Sequence, residues 1–160
     1  MKNFTLTCLS FILALGLNAQ TQIDLPITWD DPTVDYTTTA FEGGISAADV
    51  DPTNATNNVL KFTKPVGAQP WAGVTLSTPT GLASVIPFDA SNNIISVMVY
   101  SPAAGLPMRL KAEVAGVPTE SVETDATTTV ANAWETLTFD FSNESAGTAA
   151  INYAFNYNTL

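Results

Sequence analysis

The chain has 160 residues, enough for one domain with a real core, and 46% of them are hydrophobic. Five Lys and Arg stand against fifteen Asp and Glu, a formal charge of −10 without any basic run, which excludes nucleic acid and anionic membrane surfaces as partners. There is no histidine, which excludes Ser-His-Asp and Cys-His nucleophilic catalysis and every His-bearing zinc site.

The first element is MKNFTLTCLSFILALGLNAQ: a lysine at position 2, an apolar run over residues 9–17 and a small residue, Ala19, before Gln20. This pattern predicts a secretory signal peptide over residues 1–19, cleaved after Ala19, and hence an extracellular protein. The apolar run is too short to span a membrane. Cys8, the one cysteine, lies inside this leader, so residues 20–160 can form no disulfide and rely on burial, with or without a bound metal. Loss of Lys2 takes the charge to −11, and that acidity serves solubility.

Strands are then predicted, in chain order, over 23–29, 59–64, 71–77, 93–101, 108–115, 121–130, 134–141 and 151–157. These segments are rich in Val, Ile, Thr, Phe and Tyr, which suit a pleated, half-buried surface. Between them lie DDPT, DPTNATNN, KPVGAQP, SPAAGLP and AGVPTE, all turn or loop chemistry. No repeat and no linker divides the chain, so residues 20–160 are expected to form one all-β, antiparallel β-sandwich or jelly roll.

Phase assigns the faces. In WETLTFDF, Leu137, Phe139 and Phe141 form the apolar side, while Trp134 falls with Thr136, Thr138 and Asp140. In WAGVTLS, Ala72, Val74 and Leu76 oppose Trp71, Gly73 and Thr75. In MRLKAEVAG, Leu110, Ala112 and Val114 face the core and Arg109, Lys111 and Glu113 face away. NIISVMVYS is apolar on both sides, as a central strand covered on both faces would be. Trp29 alternates with Ile27 and Ile23 and is expected in the core.

If the strands of Trp71, Trp134, Arg109, Lys111 and Glu113 neighbour one another, one face carries aromatic platforms beside long polar side chains, a surface that stacks on sugar rings and orients their hydroxyls. The alternatives are a tryptophan that plugs the sandwich end or packs under a loop, and a charge row that screens itself. Glycosidase chemistry would need a carboxylate pair, for which Glu113, Glu120, Glu123 and Asp125 are candidates. The glycines lie too far apart for a phosphate-binding loop.

The order ITWDDPTVDYTTTAFEGG, VDPTNATNNVLKFTK, WAGVTLS, VMVYSP, MRLKAEVAG, SVETDATTTVANAWETLTFDF resembles a non-catalytic jelly-roll, galactose-binding-like carbohydrate-binding module of secreted bacterial polysaccharide-degrading proteins. The resemblance covers nearly all of residues 20–160. It implies a polysaccharide partner and a catalytic or sorting domain elsewhere in the full-length protein. It also implies a structural calcium held by the glutamate of an FE motif, here Glu42, and by an Asp on the last strand that has no match in this chain; the loop residues Asp30, Asp31, Asp49 and Asp51 supply further hard donors. By the same resemblance at least one further strand is expected beyond INYAFNYNTL, which makes the chain look like a gene fragment. Three function classes follow: a carbohydrate-binding module, a structural or adhesion spacer without a small ligand, and a small jelly-roll glycosidase or lyase.

Overall fold

The computed structural model describes residues 19–77 and 79–160; the predicted leader, apart from Ala19, lies outside the described residues. Those residues form ten strands and no helix, an all-β protein. In chain order the strands are β1 (Thr21–Gln22), β2 (Val34–Asp35), β3 (Thr39–Phe41), β4 (Ile45–Asp51), β5 (Asn54–Thr63) and β6 (Gly73–Thr75). They continue with β7 (Ile94–Tyr100), β8 (Pro107–Val114), β9 (Val117–Thr127) and β10 (Trp134–Asp140).

Pairing is antiparallel in four of the five strand pairs: β3 with β6, β4 with β5, β7 with β10, and β8 with β9. The short β1 and β2 run parallel. β4–β5 and β8–β9 are hairpins closed by Pro52–Thr53 and by the turn at Gly116, whose φ of 77° suits glycine.

Apolar alternation explains where the core sits. Leu137 and Phe139 of β10, Phe141 just beyond it, Ala112 of β8 and Val122 of β9 are all buried. The half-buried Ile95, Val97 and Val99 of β7 and Leu110 of β8 pack against them. The inner faces of β7–β10 and β8–β9 therefore share one core. It is completed by Ile23, Leu82, Ile86 and Tyr157 from irregular segments. Burying side chains of this kind is worth roughly 1.5–3 kcal/mol each relative to exposure.

Several expectations need correction. Residues 23–29 do not form a strand; strand pairing there stops at Gln22, and Pro26 removes a backbone donor. Residues 151–157 are turn and coil. Tyr157 is fully buried there, its hydroxyl accepts the Asn152 N–H at 3.1 Å, and Phe88 and Phe155 pack edge-on to its ring. Alternation in both segments marked burial, which does not require a paired strand.

The segment read as a loop, DPTNATNN, mostly belongs to β5, and AGVPTE opens β9. β7 is not covered on both sides: Ile94 and Met98 on its outer face are 54% and 66% exposed. Trp29 is half-buried at a φ of 67°, its ring 5.0 Å from that of Tyr36.

β3–β6 stand apart in composition. None of their residues belongs to the hydrophobic core cluster, and Phe41, Ile45, Val50 and Phe62 are substantially exposed. Side-chain hydrogen bonds from Trp134 and to Asp30 tie β4–β5 to the rest of the fold.

Candidate functional site

Trp134 opens β10 opposite Tyr100 of β7, and the two rings meet edge to face with centroids 5.6 Å apart. Its indole N–H donates to Asp51 Oδ1 at 2.9 Å. Asp51 sits at the tip of the β4–β5 hairpin, 8% exposed. Its carboxylate also accepts the N–H and hydroxyl of Thr53, both at 2.7 Å, and the side-chain amide of Asn57 at 3.0 Å. Burial alone would raise the Asp51 pKa. The Thr53 hydroxyl, the Trp134 indole, the Thr53 N–H and the Asn57 amide outweigh it and hold the group well below the usual carboxylate range. Trp134 thus fastens the hairpin tip to the core-bearing strands. A second polar fastening is Asp30, which accepts both the backbone and the side-chain N–H of Asn58.

Arg109, Lys111 and Glu113 do share the outer face of β8, in register with Asp125, Glu123 and Ser121 of β9. They are occupied there. Arg109 binds Asp125 with two parallel hydrogen bonds of 2.8 and 3.0 Å and reaches Glu123 at 3.1 Å. Lys111 pairs with Glu113 at 2.6 Å. The guanidinium of Arg109 holds Asp125 below its ordinary pKa.

Trp71 lies elsewhere. It precedes β6 in a turn, and β6 pairs with β3, so Trp71 shares a sheet with neither Trp134 nor the β8 row. The five residues expected on one face are therefore spread over two strand pairs and the turn before β6. Trp71 is nevertheless the most exposed aromatic side chain of the described residues, at 64%.

Its loop is held in place by the backbone. Gln69 N–H donates to the Glu42 carbonyl and Ala72 N–H to the Gln69 carbonyl, both at 3.0 Å, and Ala68 N–H to the Pro65 carbonyl at 3.1 Å. The receiving turn, Phe41-Glu42-Gly43-Gly44, is closed by Gly44 N–H on the Phe41 carbonyl. Its central residues have φ of 55° and 87°, the signature of a type I′ turn.

Two further aromatic rings border this turn, and sequence reasoning passed over both. Phe41, 42% exposed, lies over Gly73, its cross-strand partner; a Cβ there would come within 2.6 Å of the ring. Phe62, 36% exposed, lies over Gly44, where a Cβ would meet its ring at 2.6 Å and the Gly73 carbonyl at 3.2 Å. Phe41 thus covers Gly73 and Phe62 covers Gly44, while the Trp71 loop is tied to the same turn through Gln69. Phe41 could have been suspected from FEGG, where it stands close to glycines, but Phe62 lies in LKFTK with no glycine beside it, and cross-strand register is not written in either motif.

Glu42 is exposed at the tip of that turn. The carboxylates expected to join it around calcium have other partners: Asp30 the Asn58 amides, Asp31 Thr33, Asp49 Lys61, and Asp51 Trp134 with Thr53 and Asn57. Among the described residues no group of three or more carboxylates could enclose a metal. The loop carboxylates are thus held by protein partners rather than gathered around Glu42. Compared with known proteins, the chain matches no family model, no curated protein and no solved structure.

Proposed function

We propose that this chain is a secreted, non-catalytic carbohydrate-binding module, a β-sandwich of the jelly-roll type working beside a catalytic or sorting domain of a larger protein. The sandwich reading is supported by the antiparallel pairs β7–β10 and β8–β9, whose inner faces share a core. The observation that carries the binding reading is Trp71. A large aromatic ring left in water on a loop fixed by backbone hydrogen bonds is a preformed platform. It loses little freedom when a sugar ring stacks on it.

The non-catalytic part of the proposal rests on the acids. A glycosidase needs one carboxyl group kept protonated by a raised pKa. Asp125 is held below its ordinary pKa by its hydrogen bonds to the Arg109 guanidinium, and Glu113 and Glu123 are each engaged by a cation. Purified protein is expected to release no reducing sugar from any polysaccharide. Release that disappears in Glu113→Gln or Glu123→Gln would refute this. The binding reading is tested by electrophoresis through glycan-containing gels: the wild type is retarded, Trp71→Ala is not, and both melt alike.

A spacer without a small ligand is the second reading. The internal pairing of Arg109, Lys111 and Glu113 favours it, as does the use of the Trp134 N–H within the fold. Gels of every glycan tried that leave the wild type unretarded would favour this reading.

A further inference from the structure

We infer that β7 pairs along its free edge with β7 of a second copy of this chain, antiparallel about a two-fold axis at Val97, so that the β7–β10 sheets of both copies become one. The inference does not rest on the glycan reading. The Phe141 N–H on the Asn93 carbonyl at 2.9 Å sets the phase of the β7–β10 ladder. Backbone groups alternate in direction along a strand, so those of Ile95, Val97 and Val99 turn toward β10. Those of Ile94, Ser96, Met98 and Tyr100 turn to the other side, where they have no backbone partner among the described residues. A row of open N–H and C=O groups fits one kind of ligand, an extended chain.

The occupant is argued from charge and symmetry. Natural edges are blunted by charge, proline or a bulge, and β7 has none of these. Of the six strands with seven or more residues, it alone carries no charged residue. Ile94, Ser96 and Met98 along it are all exposed. In a chain of formal charge −10, β7 is where two copies can meet without opposing like charges. A two-fold axis at Val97 makes the row self-complementary. On the outer face Ile94 then stands opposite the other copy's Tyr100, and Ser96 opposite its Met98. On the inner face Val97 meets its own counterpart and Ile95 meets the other copy's Val99. These three are only half-buried in the single copy, so a second copy covers apolar surface on the core side while it pairs the edge. The far strand of the sheet, β10, carries Glu135 and Asp140, so pairing closes at a dimer.

The test uses the secreted protein, free of its leader, in light scattering after gel filtration and in sedimentation velocity, from about 5 to 500 μM. A monomer–dimer equilibrium, with the dimer gaining as concentration rises, is the expected result. Ser96→Pro removes an N–H that points away from β10 and sets a ring on the edge. It should abolish the dimer while the far-UV spectrum stays the same. Met98→Lys keeps every backbone donor and places a cation on the edge, and it should weaken the dimer at least severalfold; it carries the test if the proline variant does not fold. Cysteines check the register, since residues 20–160 contain none. Val97→Cys would stand about 4.5 Å, Cα to Cα, from its counterpart, within reach of a disulfide. Ile94→Cys is more exposed but would lie at the opposite end of the pairing from its counterpart. Mild oxidation should link the first and not the second, and equal yields would overturn the pairing. A monomer at every concentration, a dimer that survives both edge variants, or assembly beyond a dimer would also overturn the inference.

Discussion

Trp134 explains how a strand can turn its largest side chain away from the core. Its ring packs on Tyr100 and its N–H reaches Asp51 across 83 residues of sequence, so a polar-phase tryptophan here joins two parts of the fold. Trp134→Phe keeps the ring contact and removes the donor. The melting temperature is expected to fall by about 3–5 °C, while the far-UV spectrum stays the same. Trp134→Ala removes both and should cost roughly 3–5 kcal/mol of stability, read from denaturant midpoints. If Trp134→Phe melts like the wild type, the indole–carboxylate bond is not what holds the hairpin tip. The tryptophan's phase was legible in the sequence, but its partner was not, because Asp51 belongs to a turn whose position depends on tertiary packing.

At the scale of elements, the turn at Glu42 carries an identifiable strain. A left-handed conformation at a residue with a Cβ is costly, and type I′ turns favour Asn or Gly at that position. Glu42→Gly is therefore expected to raise stability by about 0.5–1 kcal/mol. Gly73→Ala should act oppositely at the neighbouring strand, since its Cβ would push the Phe41 ring from its seat. Circular-dichroism melts of both variants check these signs; a destabilised Glu42→Gly would mean that the Glu42 side chain holds something the fold needs. β8 and β10 were readable because their apolar residues alternate toward a buried face, β9 because it is rich in Val and Thr, and β7 because it is apolar throughout. β3 and β4 were not, because Ala47, Ala48 and the exposed Ile45 and Val50 give no core-facing pattern. The acidic residues also had more to say than solubility. Asp31, Asp35, Asp51, Asp89 and Asp140 each accept the N–H and hydroxyl of the Thr or Ser two residues on, so D-x-[ST] marks their turns.

For the whole molecule, the same carboxylates set the pH dependence. Thr33, Thr37 and Ser91 hydroxyls and backbone N–H groups lower the pKa of Asp31, Asp35 and Asp89, and the donors around Asp51 lower its own. A folded-state pKa below the unfolded value near 4 means stability that is complete above that value and is lost as pH falls through the folded values. With no histidine, the melting temperature should be flat from about pH 8 to pH 5 and fall steeply below about pH 4. A decline between pH 8 and pH 5 would contradict this. Chelator should leave the melt unchanged, since the loop carboxylates are held by protein donors; a fall reversed by added calcium would establish a metal that those donors do not reveal.

The most direct test of the account compares the wild type with Trp71→Ala in two measurements, retention by the glycan that the wild type is proposed to bind and thermal unfolding. Because Trp71 is exposed and outside the core, its loss should move the melting temperature by no more than about 2 °C. Losing a stacking contact of on the order of 1 kcal/mol or more from a weak complex should abolish retention. Full retention by Trp71→Ala, or retention lost only together with the fold, would contradict the account.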